Sequence, residues 1–253
     1  MKRIAIVLLS LLALVITACG GSSSTVSPSS EATATSTASN AELTVQNDDP
    51  QKYLAASSVG EGNGPAPVIA PAVKAAAHAA GCTTRADASP FVGRPEPSNS
   101  LPWHVENPDY STQPSPPTSG VHFPIWADWG IYDTAVPYKF LVHNMEHGGI
   151  IVYEGAKLAA PTVSAITKLW YSAPPYVVVV PAVADVTPAG VTVTSWQRAL
   201  TCPRAGAKTI AAISAFRNAY RGRSREQVPA VNAGQPADGL PTPATADPAA
   251  AGG

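Results

Sequence analysis

Two long segments of this chain are too poor in large apolar side chains to build a hydrophobic core. Residues 22–40 are almost wholly Ser, Thr and Ala, and residues 229–253 are mainly Pro, Ala and Gly. Such segments cannot bury enough apolar surface to offset the entropy lost on ordering. We therefore predict a single globular domain over residues 51–228, roughly 180 residues, followed by a disordered tail over residues 229–253.

The N-terminal segment has the charge order of a secretory signal. Lys2 and Arg3 precede an apolar run that is too short to span a bilayer, so residues 1–18 are predicted to be a signal peptide. The run ends in Ile-Thr-Ala-Cys, which resembles the bacterial lipobox, whose cysteine is lipidated and begins the mature protein. We predict lipidation at Cys19, a disordered tether over residues 19–50, and export to the cell envelope with anchoring to a membrane.

The rest of the chain carries no feature that favours nucleic acid. Removal of Lys2 and Arg3 lowers the 16 basic side chains to 14 against 17 acidic ones, a net charge near −3 with neutral histidines. The sequence has no glycine-rich phosphate loop and no G-x-S-x-G motif. Its one basic cluster, from Arg217 to Arg225, closes a predicted helix, where cations suit the helix dipole. The membrane is the only predicted partner, and no protein partner is indicated.

Two cysteines remain for the folded domain once Cys19 is assigned to lipid. Export places Cys82 and Cys202 in a compartment that permits disulfides. The alternative is metal ligation, but neither cysteine has a C-x-x-C neighbour or a histidine at ligand spacing. We predict a disulfide that stabilises the fold by about 4 to 5 kcal/mol in the chain-entropy model.

The apolar pattern of the domain is partly helical and partly extended. Proline and glycine punctuation or a spacing of three and four residues predicts helices at residues 71–80, 161–171 and 208–220. Apolar runs predict strands at residues 150–153, 176–180 and, half-exposed, 191–196. Since no regular strand-helix-strand repeat is present, we predict an α+β domain with a small, mainly antiparallel sheet, a few packing helices and one disulfide.

Three of the five histidines fall between residues 122 and 147. His122 follows a Pro-Pro-Thr-Ser-Gly segment, whose prolines and glycine predict a rigid loop. A second segment, L-V-H-N-M-E-H-G-G, holds His143 and His147, and the proline and glycine that frame it predict a helix over residues 137–147. Residues 90–117 are rich in proline and predicted as loop, within which residues 101–105 have the composition of a short strand.

The secondary structure around His143 decides whether it can share a metal ion with His147. On a helix the Cβ atoms of the two residues lie about 5 to 6 Å apart, close enough for one ion. On a strand they would lie about 13 Å apart, and no single ion would reach both. The apolar residues 140–142 also allow a strand, so the helix is the preferred of two alternatives.

Residues 143–147 also fit the H-x-x-E-H pattern of the inverted zinc proteases, in which two histidines bind zinc and the glutamate activates water. Those proteases are much larger than this chain. In addition, two glycines follow here where the zinc-binding helix of such a protease would continue. The pattern by itself therefore does not predict a protease.

Several motifs together resemble a bacterial family known only as domain of unknown function 3105. They are a glycine-cysteine pair, PPTSG-x-H, G-x-Y-D, L-V-H-N-x-E-H-G-G, and a second cysteine before F-x-x-x-Y-R-G. The resemblance covers residues 81 to 227. It implies an exported or membrane-anchored protein, which agrees with the predicted signal peptide, and it implies no activity.

We predict a cell-envelope lipoprotein with a metal site formed by three imidazoles and one carboxylate, His122, His143, His147 and Glu146. Zinc suits histidine and carboxylate ligands, and copper suits imidazoles with Met145 as a soft neighbour. One alternative is a metal-dependent hydrolase with Glu146 as catalytic general base. The other is a non-catalytic scaffold or interaction module whose histidines form a structural hydrogen-bond network.

Overall fold

A computed structural model describes residues 66–88, 104–182, 186–223, 230, 232 and 237–247. The predictions of a signal peptide, of lipidation at Cys19 and of a tether concern residues 1–50 and lie outside the described residues. Of the short strand predicted at residues 101–105, only residues 104 and 105 are described.

The described part of the chain forms four helices and seven strands. The helices are α1 (Pro71–Ala80), α2 (Tyr138–Glu146), α3 (Ala160–Tyr171) and α4 (Ala207–Tyr220). The strands are β1 (Thr83–Ala86), β2 (Gly130–Ile131), β3 (Ile150–Glu154), β4 (Val177–Pro181), β5 (Val191–Ser195), β6 (Arg198–Cys202) and β7 (Thr245–Ala246). These elements confirm the predicted α+β class. None of the described helices has the length and apolar character needed to cross a membrane.

All seven strands belong to one sheet, in the order β1-β6-β5-β3-β4-β2-β7. Four neighbouring pairs are antiparallel, and the pairs β3/β4 and β4/β2 are parallel. Helix α3 joins the parallel strands β3 and β4, a crossover that parallel pairing requires. The sheet is mostly antiparallel, as predicted, but it includes two strand-helix-strand units, β2-α2-β3 and β3-α3-β4.

Helices α1, α3 and α4 cover one face of the sheet with apolar side chains. Val73, Ile166 and Phe216 from the three helices join Val152 and Val193 from the sheet in one buried cluster. The predicted disulfide between Cys82 and Cys202 is confirmed and ties the end of α1 to the end of β6 at this face. We call this side the helix-covered face.

Helix α2 and a tryptophan-rich loop cover the other face. Trp126, Phe140 and Leu141 pack there against Ile151 of β3 and Val178 of β4. We call this side the α2 face. Strand β5 lies between β3 and β6, and all five of its residues are buried. The expectation of a half-exposed strand at residues 191–196 was therefore wrong, because both faces of the sheet are covered at this strand.

The expected disorder of residues 229–253 is contradicted over residues 237–247. Strand β7 pairs with β2, and the amide of Asp247 donates to the carbonyl of Trp129 at 2.9 Å. A Cβ atom on Gly130 would lie only 2.4 Å from the carbonyl oxygen of Thr245, so a glycine is required at this close approach. The segment is ordered through backbone pairing, which its Pro- and Ala-rich composition does not reveal.

The basic cluster near the end of α4 is structural where it is described. Arg217 is buried and donates to the carbonyl of Leu169 and the hydroxyl of Ser172, and Arg221 donates to the carbonyl of Ala173. These contacts fasten the end of α3 to α4 and confirm the structural interpretation of these two arginines.

Candidate metal centre

Helix α2 carries most of the candidate ligands. His143 and Glu146 lie within the helix and His147 is its C-terminal capping residue, which confirms the helical alternative. As expected for residues four apart on a helix, the side chains of His143 and His147 meet, with their Nε2 atoms 2.8 Å apart.

The two glycines after α2 let the chain turn at once into β3. Gly148 has a φ of 87°, which favours glycine, and its Cβ position lies 2.7 Å from the Cα of Gly222. A Cβ on Gly149 would lie 2.5 Å from the carbonyl oxygen of Asn144. The glycines therefore hold the end of α2, and with it His147, close to the body of the domain.

Asn144 fastens α2 to the tryptophan-rich loop. Its Oδ1 accepts a hydrogen bond from the amide of Ala127 at 3.0 Å, and its Nδ2 donates to the carbonyl of the same residue at 2.7 Å. The loop thereby places the Trp126 ring against both helix histidines. The ring stacks on His147 at 4.8 Å and meets His143 edge-on at 5.0 Å.

The proline-rich loop before His122 is anchored to the end of β1. Thr118 donates from its hydroxyl to the Asp87 carboxylate at 2.7 Å, and Arg85 donates to the carbonyl of Pro116 at 2.8 Å. The carbonyl of Thr118 accepts from the amide of Gln197 at 2.8 Å. These bonds fix the backbone that delivers His122, in agreement with the predicted rigid loop.

His104 joins the site through the backbone of His122. The two residues form an isolated parallel bridge, and the amide of Val105 donates to the carbonyl of His122 at 2.7 Å. His104 is not among the ligands predicted from the sequence. It lies outside both histidine motifs, as does the exposed His78, so no local sequence pattern marks it as a ligand.

Four ligand-type side chains converge at this place. One nitrogen or oxygen from each of His104, His122, His143 and Glu146 lies within 4.8 Å of the other three. His122, His143 and Glu146 are fully buried, whereas His104 is half-buried. Three imidazoles and one carboxylate at this spacing could hold a metal ion.

Backbone carbonyls fix the protonation of two of these imidazoles. The Nδ1 of His122 lies 2.9 Å from the carbonyl oxygen of Gly120, and the Nδ1 of His143 lies 2.8 Å from that of Phe123. Because a carbonyl oxygen can only accept, both Nδ1 atoms carry the hydrogen. This leaves Nε2 as the ligand atom of each ring, the arrangement common among metal-binding histidines.

His122 and Glu146 meet in a way that favours a cation. The Nε2 of His122 lies 2.9 Å from a carboxylate oxygen of Glu146, and both side chains are shielded from solvent. In the neutral ring this Nε2 carries a lone pair, since the hydrogen is on Nδ1. A lone pair and a carboxylate repel each other at that distance unless a proton or a metal ion lies between them.

Burial keeps the helix histidines neutral. It lowers the pKa of His143 well below the usual range, and the neighbouring histidines His122, His147 and His104 lower it further. Burial likewise lowers the pKa of His147 to about 4, although the charge of Glu146 acts in the opposite direction. Both rings are therefore unprotonated at neutral pH, which is the form that binds metal ions.

Two residues of the predicted site stand apart from the four converging ligands. His147 is not one of the four but reaches them through its 2.8 Å contact with His143. Met145, expected as a soft neighbour of copper, is fully buried in the apolar cluster with Phe140 and Leu141. Two residues along a helix correspond to a rotation of about 200°, so Met145 is directed away from His143.

Comparison with known proteins gives a family and no function. The model of the family described as "Protein of unknown function (DUF3105)" matches residues 104–235, slightly more than half of the chain. The matched region begins at His104 and includes His147 and every side chain of the four-ligand group. No curated protein and no solved structure matches the chain.

Proposed function

This chain belongs to the family of proteins of unknown function DUF3105, and from its own site we propose that it is a metal-binding protein of the bacterial cell envelope. The ion is zinc or copper, and the ligands are His104, His122, His143 and Glu146. The observation that carries the proposal is the convergence of these four ligand atoms within 4.8 Å in a shielded site.

A metal ion accounts for the site better than a structural hydrogen-bond network does. A proton shared between His122 and Glu146 would satisfy that pair alone. A divalent cation would neutralise the Glu146 carboxylate and also take the Nε2 lone pair of His143, which otherwise accepts the Nε2 hydrogen of His147 at 2.8 Å. Carbonyl acceptors behind two of the rings are the support that metal-binding histidines usually have.

The donor atoms favour zinc and copper over calcium and magnesium. Imidazole suits both ions, whereas calcium and magnesium prefer sites made of oxygen atoms. The four-ligand group suits tetrahedral zinc. The 2.8 Å between the Nε2 atoms of His143 and His147 equals the separation of two ligands about 2.0 Å from one ion with a right angle between them, as tetragonal copper prefers. His147 is therefore a ligand only if the ion is copper.

The closed site favours binding over hydrolysis. Glu146 is 1% exposed and lies against His122, which supports a role as ligand over that of a base facing a substrate cleft. His104 is the only half-buried member of the group and thus its most solvent-accessible ligand. The catalytic role predicted for Glu146 remains the alternative, and Glu146→Gln tests it because a hydrolase would lose turnover in that variant.

We extend the proposal to location: the protein is exported and held to a membrane by lipid on Cys19. The support is the Ile-Thr-Ala-Cys sequence after a short apolar run. Fractionation of cells that produce the Cys19→Ala variant should find the protein released from membranes or left unprocessed. Unchanged membrane retention and mature mass would refute the anchor.

Elemental analysis tests the metal centre. The mature protein, purified without a histidine tag, should contain close to one zinc or copper ion per chain. His122→Ala and His143→Ala should each abolish this content, and His104→Ala should weaken binding strongly. His78→Ala is the matched control, because His78 lies exposed on α1.

The same variants separate the outcomes. Loss of metal only in the three site variants supports the proposal. Loss in His147→Ala as well, together with copper in the elemental analysis, supports the tetragonal arrangement. A folded wild-type protein that takes up neither ion at micromolar concentration would leave the structural network as the explanation of these histidines.

A further inference from the structure

Beside the metal centre, three buried polar groups lack a partner. The hydroxyls of Tyr153 and Thr194 and the indole N–H of Trp196 form no hydrogen bond with any residue that the structure describes. Each of the three side chains is at most 1% exposed. We call them the hydroxyl-indole cluster.

The strand register places the cluster on the α2 face. Thr194 pairs with Ile151 and Tyr153 pairs with Thr192, and Ile151 and Tyr153 both pack in the apolar cluster of that face. Trp196 follows Thr194 by two residues and belongs to the same apolar cluster. The three side chains therefore leave the sheet on the side where α2 and the histidines lie.

Ring contacts connect the cluster to the site. The Trp196 ring meets the His122 ring edge-on at 6.4 Å and 88°, and the Tyr153 ring meets the Tyr138 ring of α2 at 6.0 Å. Burial raises the pKa of Tyr153, and the nearby Thr194 hydroxyl partly offsets this effect, although the two hydroxyls are not aligned as a hydrogen bond. The cluster thus lies between the sheet, the start of α2 and the ligand His122.

The lack of partners is costly. A buried hydroxyl or N–H without a hydrogen bond costs about 1 to 3 kcal/mol, and folded proteins keep few such groups. Neighbouring side chains of the same types are satisfied, since Tyr132 donates to the carbonyl of Asp128 and Thr192 donates to the hydroxyl of Thr201. The three unpaired groups of this cluster therefore differ from their neighbours of the same types, although unpaired buried atoms also occur elsewhere in the described part of the chain.

The chemistry of the three groups selects the ligand. A hydroxyl can donate or accept, but an indole N–H can only donate, so all three groups can donate together to one acceptor. None of them carries a charge, and the positive charge at this place comes from the metal ion. We propose that the hydroxyl-indole cluster and the metal ion together bind a small oxyanion of the carboxylate class.

This inference rests on the proposed function, because the metal ion would supply the positive charge for the anion while the cluster donates hydrogen bonds to it. Hydrogen bonds to a charged acceptor are about twice as strong as those between neutral groups. The near-complete burial of all three side chains restricts the ligand to a few atoms. Formate is the smallest probe of this class.

The test uses the mature protein loaded with copper(II), which binds most nitrogen and oxygen sites more tightly than zinc does. Metal content is measured first, and formate is then titrated while the visible and electron paramagnetic resonance spectra of the copper are followed. We expect a saturable spectral change. Tyr153→Phe and Thr194→Val should each keep the metal and weaken formate binding about tenfold, the loss of one charge-assisted hydrogen bond.

Two matched variants serve as controls. Tyr132→Phe and Thr192→Val remove a hydroxyl of the same type that already has a partner within the protein. They should leave formate affinity unchanged. Thermal unfolding without formate adds a second readout: Tyr132→Phe should lower the midpoint because it breaks a bond, whereas Tyr153→Phe should not.

Each outcome has one meaning. A copper-loaded protein whose spectra ignore formate overturns this inference and leaves the metal centre standing. Formate binding that Tyr153→Phe and Thr194→Val do not weaken overturns the assignment to the cluster. A protein that takes up no metal overturns the proposed function, and this inference with it.

Discussion

The helix-covered face of the sheet buries predominantly apolar side chains from three helices, whereas the α2 face buries histidines, hydroxyls and an indole N–H among its tryptophans. Apolar burial contributes about 25 cal/mol per Å² with no requirement on geometry. A buried polar group is favourable only when its partner is present and well placed. Both faces therefore gain stability from apolar burial, but only the α2 face combines a large apolar cluster with polar groups whose partners must be in place.

The two faces are also fixed in different ways. The helix-covered face has a disulfide and long helices, while the α2 face depends on one helix of 9 residues and on side chains that bond to loop backbone. Changes on the first face should act on stability and leave the site intact. Changes on the second should affect the site as well.

Removal of the disulfide should give the largest loss of stability and should spare the metal centre. The bridge joins residues 120 apart in sequence, for which the chain-entropy model gives about 4 to 5 kcal/mol. We expect urea unfolding of the Cys82→Ala, Cys202→Ala double variant to show this loss in the free energy of unfolding. Its metal content, measured below the transition, should equal that of the wild-type protein. Metal loss in a variant that still unfolds cooperatively would show that the faces are not independent.

A pair of phenylalanines compares the faces directly. Phe216 of α4 and Phe140 of α2 are both fully buried, one on each face. Replacement of either by alanine should cost about 3 to 5 kcal/mol in urea unfolding. Only Phe140→Ala should also weaken metal binding, because Phe140 lies one turn before His143 on the same helix. Equal metal affinities in the two variants would contradict the comparison.

The elements that the sequence predicted well are those with punctuation of their own. Proline begins α1 at its first position, and Gly81, in the left-handed region, ends it. The two glycines after α2 predicted a helix end at His147, and this helix brings the side chains of His143 and His147 together. Local signals of this kind do not depend on partners elsewhere in the chain, so they can be interpreted from one segment.

The short edge strands could not be predicted in this way. β1 (Thr83–Ala86) and β7 (Thr245–Ala246) have no apolar alternation and exist because a neighbouring strand offers backbone partners. The alternation of threonine and valine in β5 predicts a strand whose threonine side faces solvent. The threonine side in fact faces the buried polar site, and sequence alone does not separate solvent from a polar interior.

His104 shows the same limit within the site. It lies 18 residues before His122 in a proline-rich loop, and neither helix nor strand spacing connects the two. Their contact arises from one backbone bridge formed in the folded protein. The sequence therefore predicted His122, His143 and Glu146 of the four converging side chains, because these three belong to motifs. It missed His104, which only the tertiary structure brings to the site.

Acid should destabilise the α2 face of the metal-free protein. The pKa of His147 is about 4 when folded and 6.5 when exposed, so the unfolded state binds more protons between these values. The contribution of neutral His147 to the free energy of unfolding is fully present above pH 6.5 and is lost as the pH falls to about 4. The free energy of unfolding should fall by about 3 kcal/mol over this range. His143, with its pKa lowered in the same direction, should add to the loss.

The carboxylate of Glu154 changes stability with pH in the opposite direction. It must be removed before the effect of the histidines on the free energy of unfolding can be measured. Burial raises the pKa of Glu154 to about 7, so its contribution to stability is lost as the pH rises through 7 and is gained in acid. Urea unfolding at pH 7 and pH 5 should therefore be compared in the Glu154→Gln variant, where the free energy of unfolding should be lower at pH 5. Equal values at the two pH values would show that the histidines are not buried as neutral rings.

The smallest effect on stability should come from Asn144, and it should still distinguish the faces. Asn144→Ala removes both hydrogen bonds to Ala127 and leaves a buried amide and carbonyl unpaired, which costs about 1 to 3 kcal/mol. Because Ala127 adjoins Trp126, whose ring stacks on His147, the loop should also loosen at the site and metal affinity should fall. Asn218→Ala on α4 is the matched control, since Asn218 is exposed and should change neither quantity measurably. If Asn144→Ala lowers the free energy of unfolding but leaves metal affinity at the wild-type value, the loop stabilises the fold without positioning the ligands.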